Sequence, residues 1–160
     1  MSKKLLLVLL ICIFCFSCGK KVEEGNTVKV HYTGKLNDGT VFDSSKEREP
    51  LEFKVGEGQV IPGFEQTVVG MKVGQSKIVT IPMADAYGPY NEQQVFTANR
   101  SRFPEGVIPE VGQQVQVSQQ DGKQAVMRIT EVTETSVKLD GNHPLAGKDL
   151  NFEIEIVEIN

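Results

Sequence analysis

The chain has no tryptophan, only two histidines, and three cysteines confined to positions 12, 15 and 18 of its 160 residues. Each scarcity excludes something. With no cysteine beyond position 18, no disulfide framework staples the body of the chain, and no thiolate zinc site forms in it. His31 and His143 stand far apart in sequence, and no carboxylate-plus-histidine spacing signals a metal ligand set. A net charge of −4 and a pI near 5.3 lack the basic excess of a nucleic-acid binder. There is no G-x-S-x-G elbow for a serine nucleophile. The run Gly56-Glu-Gly58-Gln-Val-Ile-Pro-Gly63 fails the G-x-G-x-x-G spacing of a dinucleotide loop, so no cofactor is expected.

The first 18 residues differ from the rest. Lys3 and Lys4 precede an unbroken apolar run, Leu5–Phe16. That run is shorter than the roughly 20 residues a membrane-spanning helix needs, and it fits the hydrophobic region of an export signal. Ser17, Cys18 and Gly19 follow, and the segment resembles a bacterial lipoprotein signal. The resemblance implies cleavage after residue 17 and a lipid on Cys18. The alternatives are an ordinary cleaved signal and an uncleaved anchor. With the lipid, the mature chain is residues 18–160, held at the bacterial cell envelope. The absence of Asp after Cys18 favours the outer membrane. Residues 18–25 then read as a polar tether. Losing Lys3 and Lys4 takes the charge from −4 to −6, so no basic patch helps membrane attachment and the lipid supplies it.

At 39% hydrophobic and 24% charged residues over its full length, the sequence suits a globular chain of one domain or two small ones. It reads mostly as strands. In Asn26–Tyr32, Val28, Val30 and Tyr32 alternate with Lys29 and His31. Val41–Phe42, the alternation of Leu51, Phe53 and Val55, and Ser76–Pro82 continue the pattern. Between them, Pro62 opens a short helix that Gly70 ends, with Phe64, Val68 and Val69 marking its buried side. Residues 91–139 change character, rich in Gln and Val, with a hairpin turn expected at Asp121–Gly122 and a further strand at Val137–Leu139. Asn151–Asn160 alternates as a central strand does.

Tyr32, Phe42, Phe53, Val60, Ile61, Phe64, Tyr87 and Phe152 form an aromatic and aliphatic set on separate segments. Composition alone reads it as a core. Asp43 directly after Phe42, and Tyr87 in a loop between Ala86 and Gly88, point instead to a site.

The order of motifs resembles the FKBP-type peptidyl-prolyl isomerases: VKVHYTGKLNDGTVFDSS, LEFKVGEGQVIPGFEQTVVGMKVGQ, ADAYG and LNFEIEIVEI. AYGPYNE and NHPLAG are similar to the SlyD-like branch. That resemblance implies an α+β, mainly β fold, an antiparallel sheet wrapped on one short helix. It implies a discontinuous isomerase domain, 26–90 and 140–160, interrupted by an insert-in-flap chaperone domain at 91–139. Tyr32, Phe42, Asp43 and Tyr87 take the catalytic positions. Leu51, Phe53, Val60, Ile61, Phe64, Leu145 and Phe152 take substrate-binding ones, with Phe64 as the floor for the proline ring where many members have Trp. Gln59 replaces a common carboxylate. The implied partners are proline-containing unfolded or partly folded polypeptides, bound by a monomer. The chain stops at Asn160, so the nickel-binding tail of some relatives is not carried over.

Overall fold

A computed structural model describes residues 19–104, 106–118 and 124–160. The proposed signal, Cys18 and the Asp121–Gly122 turn lie outside these described residues. Among the described residues, nine strands form two antiparallel sheets, accompanied by one α-helix. The chain runs β1 (Thr27–Lys35), β2 (Val41–Ser44), β3 (Leu51–Lys54), α1 (Pro62–Val68) and β4 (Ser76–Ile81). It continues with β5 (Val95–Asn99), β6 (Gln114–Ser118), β7 (Gln124–Val132), β8 (Ser136–Asp140) and β9 (Leu150–Ile159). The first sheet has the order β2-β1-β9-β4, with β3 also paired to β1. The second has the order β5-β8-β7-β6.

The alternation in the sequence is what the first sheet uses. Leu150, Phe152, Ile154 and Ile156 of β9 are buried, while the residues between them face outward or are half-buried. Val28 and Val30 of β1 pair with Ile159 and Ile156 and point to the same side. Helix α1 lies across that apolar face. Pro62 stands in its first turn, where a missing N–H leaves no hydrogen bond unmade, and Gly70 follows its end with φ of 80°. Phe64, Thr67 and Val68 are buried. Val69 is not: the helix ends before it, its backbone is extended, and it is 49% exposed.

The expected tether is also corrected in part. Val22 is buried in the first core, its N–H donates to Met71 O at 2.8 Å, and its carbonyl accepts from Gly70 N. Residues 21–25 are therefore docked against the segments that follow α1 and β3, because Val22 gains more from burial than a solvated lead would offer.

The second sheet has its own small core of Met127, Ile129, Val137 and Leu139, sharing no residue with the first. Strand β5 is an addition to the sequence reading. The chain crosses between the two sheets twice, and the crossings are laced together. Tyr90 O–H donates to Asp140 at 2.8 Å, Gly141 N–H to Gln94 O at 2.9 Å, and Gly147 N–H to Gly88 O at 2.8 Å. Asn91 and Asn142 exchange two further bonds of 2.9 Å.

Candidate active site

Where α1 meets the first sheet, the apolar face is not fully covered. A cavity of about 250 Å³ opens there, lined by Tyr32, Phe42, Asp43, Leu51, Gln59, Val60, Ile61, Phe64, Tyr87 and Phe152. Seven stretches of the fold supply these side chains. Strand β1 gives Tyr32, β2 gives Phe42 and Asp43, β3 gives Leu51, and β9 gives Phe152. The turn before α1 gives Gln59, Val60 and Ile61, the helix gives Phe64, and the loop after β4 gives Tyr87.

The floor is Phe64, 3% exposed and fixed by aromatic neighbours on three sides. Its ring lies edge-on to Phe152 at 5.3 Å, to Tyr32 at 5.7 Å and to Phe53 at 5.9 Å. Phe42 stands edge-on to Phe152 at 5.7 Å. Edge-to-face contacts of this kind set ring orientation as well as burying area. Gly34 makes the Phe42–Phe152 approach possible: a Cβ there would stand 2.5 Å from the Phe42 ring and 2.9 Å from Phe152.

The turn before the helix is held from both ends. Gln59 Oε1 accepts from Lys54 N–H at 2.9 Å, and Glu65 Oε1 accepts from Gly56 N–H at 2.7 Å. These bonds present Val60 and Ile61 to the cavity although no side chain caps α1.

The polar side of the pocket is a chain of three groups. Tyr32 O–H donates to Asp43 Oδ2, and Arg48 Nη2 reaches Asp43 Oδ1 at 2.5 Å. Arg48 Nε also donates to Ser44 O at 2.9 Å, which holds the guanidinium against β2. Burial, then the Asp43 hydrogen bond, pushes the Tyr32 phenol up to about 12. The Tyr32 hydrogen bond, helped by Arg48, holds the Asp43 carboxyl below its ordinary value. At neutral pH the pair is a neutral phenol donating to a carboxylate, with no proton poised to move.

Two expected pocket residues stand elsewhere. Phe53 shares a face of β3 with Leu51 but lies two residues deeper, at 2% exposure, and supports Phe64 from below. Leu145 packs at the edge of the first core and is not among the lining residues. The two histidines are also apart in space. His31 Nδ1 meets Ser45 Oγ at 3.2 Å, while His143 stacks on Tyr87. Among the described residues no three His, Cys, Asp or Glu side chains converge as a metal site would require. No helix of the described residues is long and apolar enough to cross a membrane. Arg48 was invisible as a site residue because it sits in the charged run Lys46–Glu49, which reads as solvated loop.

A buried aromatic floor, aliphatic walls and a fixed phenol–carboxylate pair thus meet in one cavity at the first sheet. Residues 18–157 match the FKBP-type peptidyl-prolyl cis-trans isomerase family, and the chain belongs to it. It is 35% identical over 136 residues to the FKBP-type isomerase SlyD of Treponema pallidum, covering 85% of this chain and 77% of that protein. It is 32% identical over 142 residues to the FKBP-type 16 kDa isomerase of Escherichia coli, covering 88% and 95%. A short-type isomerase of Methanocaldococcus jannaschii is 35% identical, covering 86% and 94%.

Proposed function

We propose that this isomerase acts on exported polypeptides, that the Phe64 cavity is its proline site, and that the second sheet holds the client nearby. The observation that carries the reading is the convergence of ten side chains from seven stretches of the fold on one apolar cavity with a single polar wall.

The chemistry asked of such a pocket is modest. The X–Pro bond rotates over a barrier of about 18–20 kcal/mol, and no bond breaks. The planar amide is more polar than the twisted transition state, so an apolar enclosure raises the planar form relative to the twisted one. Phe42, Val60, Ile61, Phe64 and Phe152 supply that enclosure. Asp43, held by Tyr32 and Arg48, faces the substrate carbonyl, and Tyr87 O–H donates to it. A 10³-fold acceleration needs only about 4 kcal/mol, within the reach of these contacts and without a nucleophile.

The second sheet supports a holding role. Ile108, Val111, Val126 and Phe96 expose large apolar surface there, up to 71% at Ile108. An extended apolar client would find both this surface and the free edges of β5 and β6. Holding it raises its effective concentration at the proline cavity. The same surface favours a second reading, a holdase in which the proline cavity is secondary.

Refolding of an unfolded protein limited by a proline step separates the two. The proposal predicts that Phe96→Ser with Ile108→Ser slows catalysed refolding while leaving turnover of a short X–Pro peptide unchanged. Equal loss on both substrates would contradict it. Suppression of aggregation with no acceleration of refolding would favour the holdase. The proposed lipid on Cys18 predicts a membrane-bound native chain whose N-terminal peptide carries acyl mass. A Cys18→Ala chain should leave the membrane fraction, and an unmodified Cys18 would overturn the anchor.

A further inference from the structure

Tyr87 lines the proline cavity from a loop and is 42% exposed, so the pocket alone does not fix its ring. Its other face is covered. The His143 imidazole lies parallel to it, with ring centroids 3.7 Å apart and an angle of 6° between planes. His143 belongs to the second crossing between the sheets. It also lines a groove with Gln114 of β6 and Val126, Met127 and Arg128 of β7. One imidazole therefore forms a wall shared by the base of the second sheet and the outer side of the pocket.

The imidazole is itself anchored. Its Nδ1 accepts from Leu145 N–H at 3.2 Å, and the His143 backbone carbonyl accepts from Ala146 N–H at 2.9 Å. The preceding Asn142 is bound to Asp140 Oδ1 through both its backbone N–H and its side chain, at 2.8 Å each. We propose that His143 is a positioning residue of the isomerase, holding the Tyr87 ring at the mouth of the proline cavity and tying it to the second sheet. The proposal rests on that cavity being the isomerase site.

An acceptor Nδ1 identifies the neutral tautomer with its proton on Nε2. Protonation places a second N–H against the Leu145 N–H and breaks that bond. Burial, then the Arg128 charge, holds the His143 pKa below 6.5. The groups facing the ring are Tyr87 from the loop after β4, Tyr90 beyond it, Arg128 on β7, Asp140 at the end of β8 and Lys148 downstream. The Asp140 carboxyl is held below its ordinary value, and the Tyr90 phenol above its own. The anchored state is thus complete above about pH 6.5 and is lost as pH falls through the lower folded value.

The test measures kcat/KM on a short X–Pro peptide from about pH 5 to 8, together with the NMR shifts of the Tyr87 ring protons. His143→Ala is expected to lower kcat/KM about fivefold at neutral pH and to shift the Tyr87 ring signals as the stack is lost. His143→Phe keeps a flat ring and should recover most of that loss. The native chain is expected to lose activity toward acid pH, and His143→Phe should remove that fall. His31 is present in all three proteins, so the difference in profile reports His143. If His143→Ala fails to fold, the native chain decides alone: Tyr87 shifts that follow the His143 titration support the proposal, and shifts indifferent to it overturn it. A catalysing native chain with unchanged His143→Ala kinetics overturns this proposal only. A native chain without catalysis overturns the isomerase reading, and this proposal with it.

Discussion

Tyr32 donates its phenolic proton to Asp43, and Arg48 holds the same carboxylate from the other side. The pair comes from neighbouring antiparallel strands, where Thr33 faces Ser44 and Gly34 faces Asp43. The register of β1 against β2 therefore sets the polar wall of the Phe64 cavity.

Removing either partner is expected to reorient the wall without abolishing the reaction. Tyr32→Phe and Asp43→Asn should each lower kcat/KM by about three- to tenfold, far less than losing a nucleophile does in a hydrolase. Neither group titrates near neutrality. The Asp43 carboxyl is held low, so its contribution is complete above its ordinary value of about 4 and is lost as pH falls through the lower folded value. The Tyr32 phenol is raised to about 12, so its contribution is present below the ordinary value and lost as pH rises through the folded one. Stability measured against pH should show an acid loss that Asp43→Asn reduces; an unchanged acid profile would contradict the assignment.

Phe64 joins the core to the pocket, so its truncation should affect both. Phe64→Ala removes a buried ring packed against Tyr32, Phe53 and Phe152, and should destabilise the chain by about 3–5 kcal/mol. Phe64→Leu keeps most of the volume and should fold, with a raised KM for the peptide. Denaturant unfolding and steady-state kinetics on the two variants check this. An unchanged KM in Phe64→Leu would place the proline elsewhere.

Gly34 makes a narrower prediction. Adding a methyl group at this position forces the Phe42 and Phe152 rings apart. Gly34→Ala should cost about 1–3 kcal/mol and change the pocket while leaving the second sheet intact. Hydrogen exchange resolves the two sheets. Loss of protection spread equally over β7 and β8 would contradict their separate cores.

Much of this was legible where burial imposes a period. The two-residue alternation of β9 survives intact because one face of the sheet is covered by α1 and the other is wet. Pro62 and Gly70 bracketed the helix because each is tolerated at its own end and nowhere between. Strand β5 was silent since Phe96 and Thr97 are both exposed and its apolar residues Val95, Phe96 and Ala98 do not alternate. Phe53 was counted with the pocket as a member of the aromatic and aliphatic set, and periodicity does not reveal depth along a strand. The His143–Tyr87 stack joins residues separated by the whole second sheet, a proximity created only by the laced crossings. Val22 was missed because a lone valine in a charged lead carries no period.

The central claim is that the Phe64 cavity accelerates rotation about X–Pro bonds by apolar enclosure and a fixed polar wall, without a nucleophile. NMR exchange spectroscopy of a short X–Pro peptide with the purified native chain tests it most directly. The account predicts cis/trans exchange far faster than the uncatalysed tens of seconds, with line broadening of Phe64 and Phe152 at the same peptide concentrations. Exchange that stays at the uncatalysed rate, with those rings unperturbed, would contradict it.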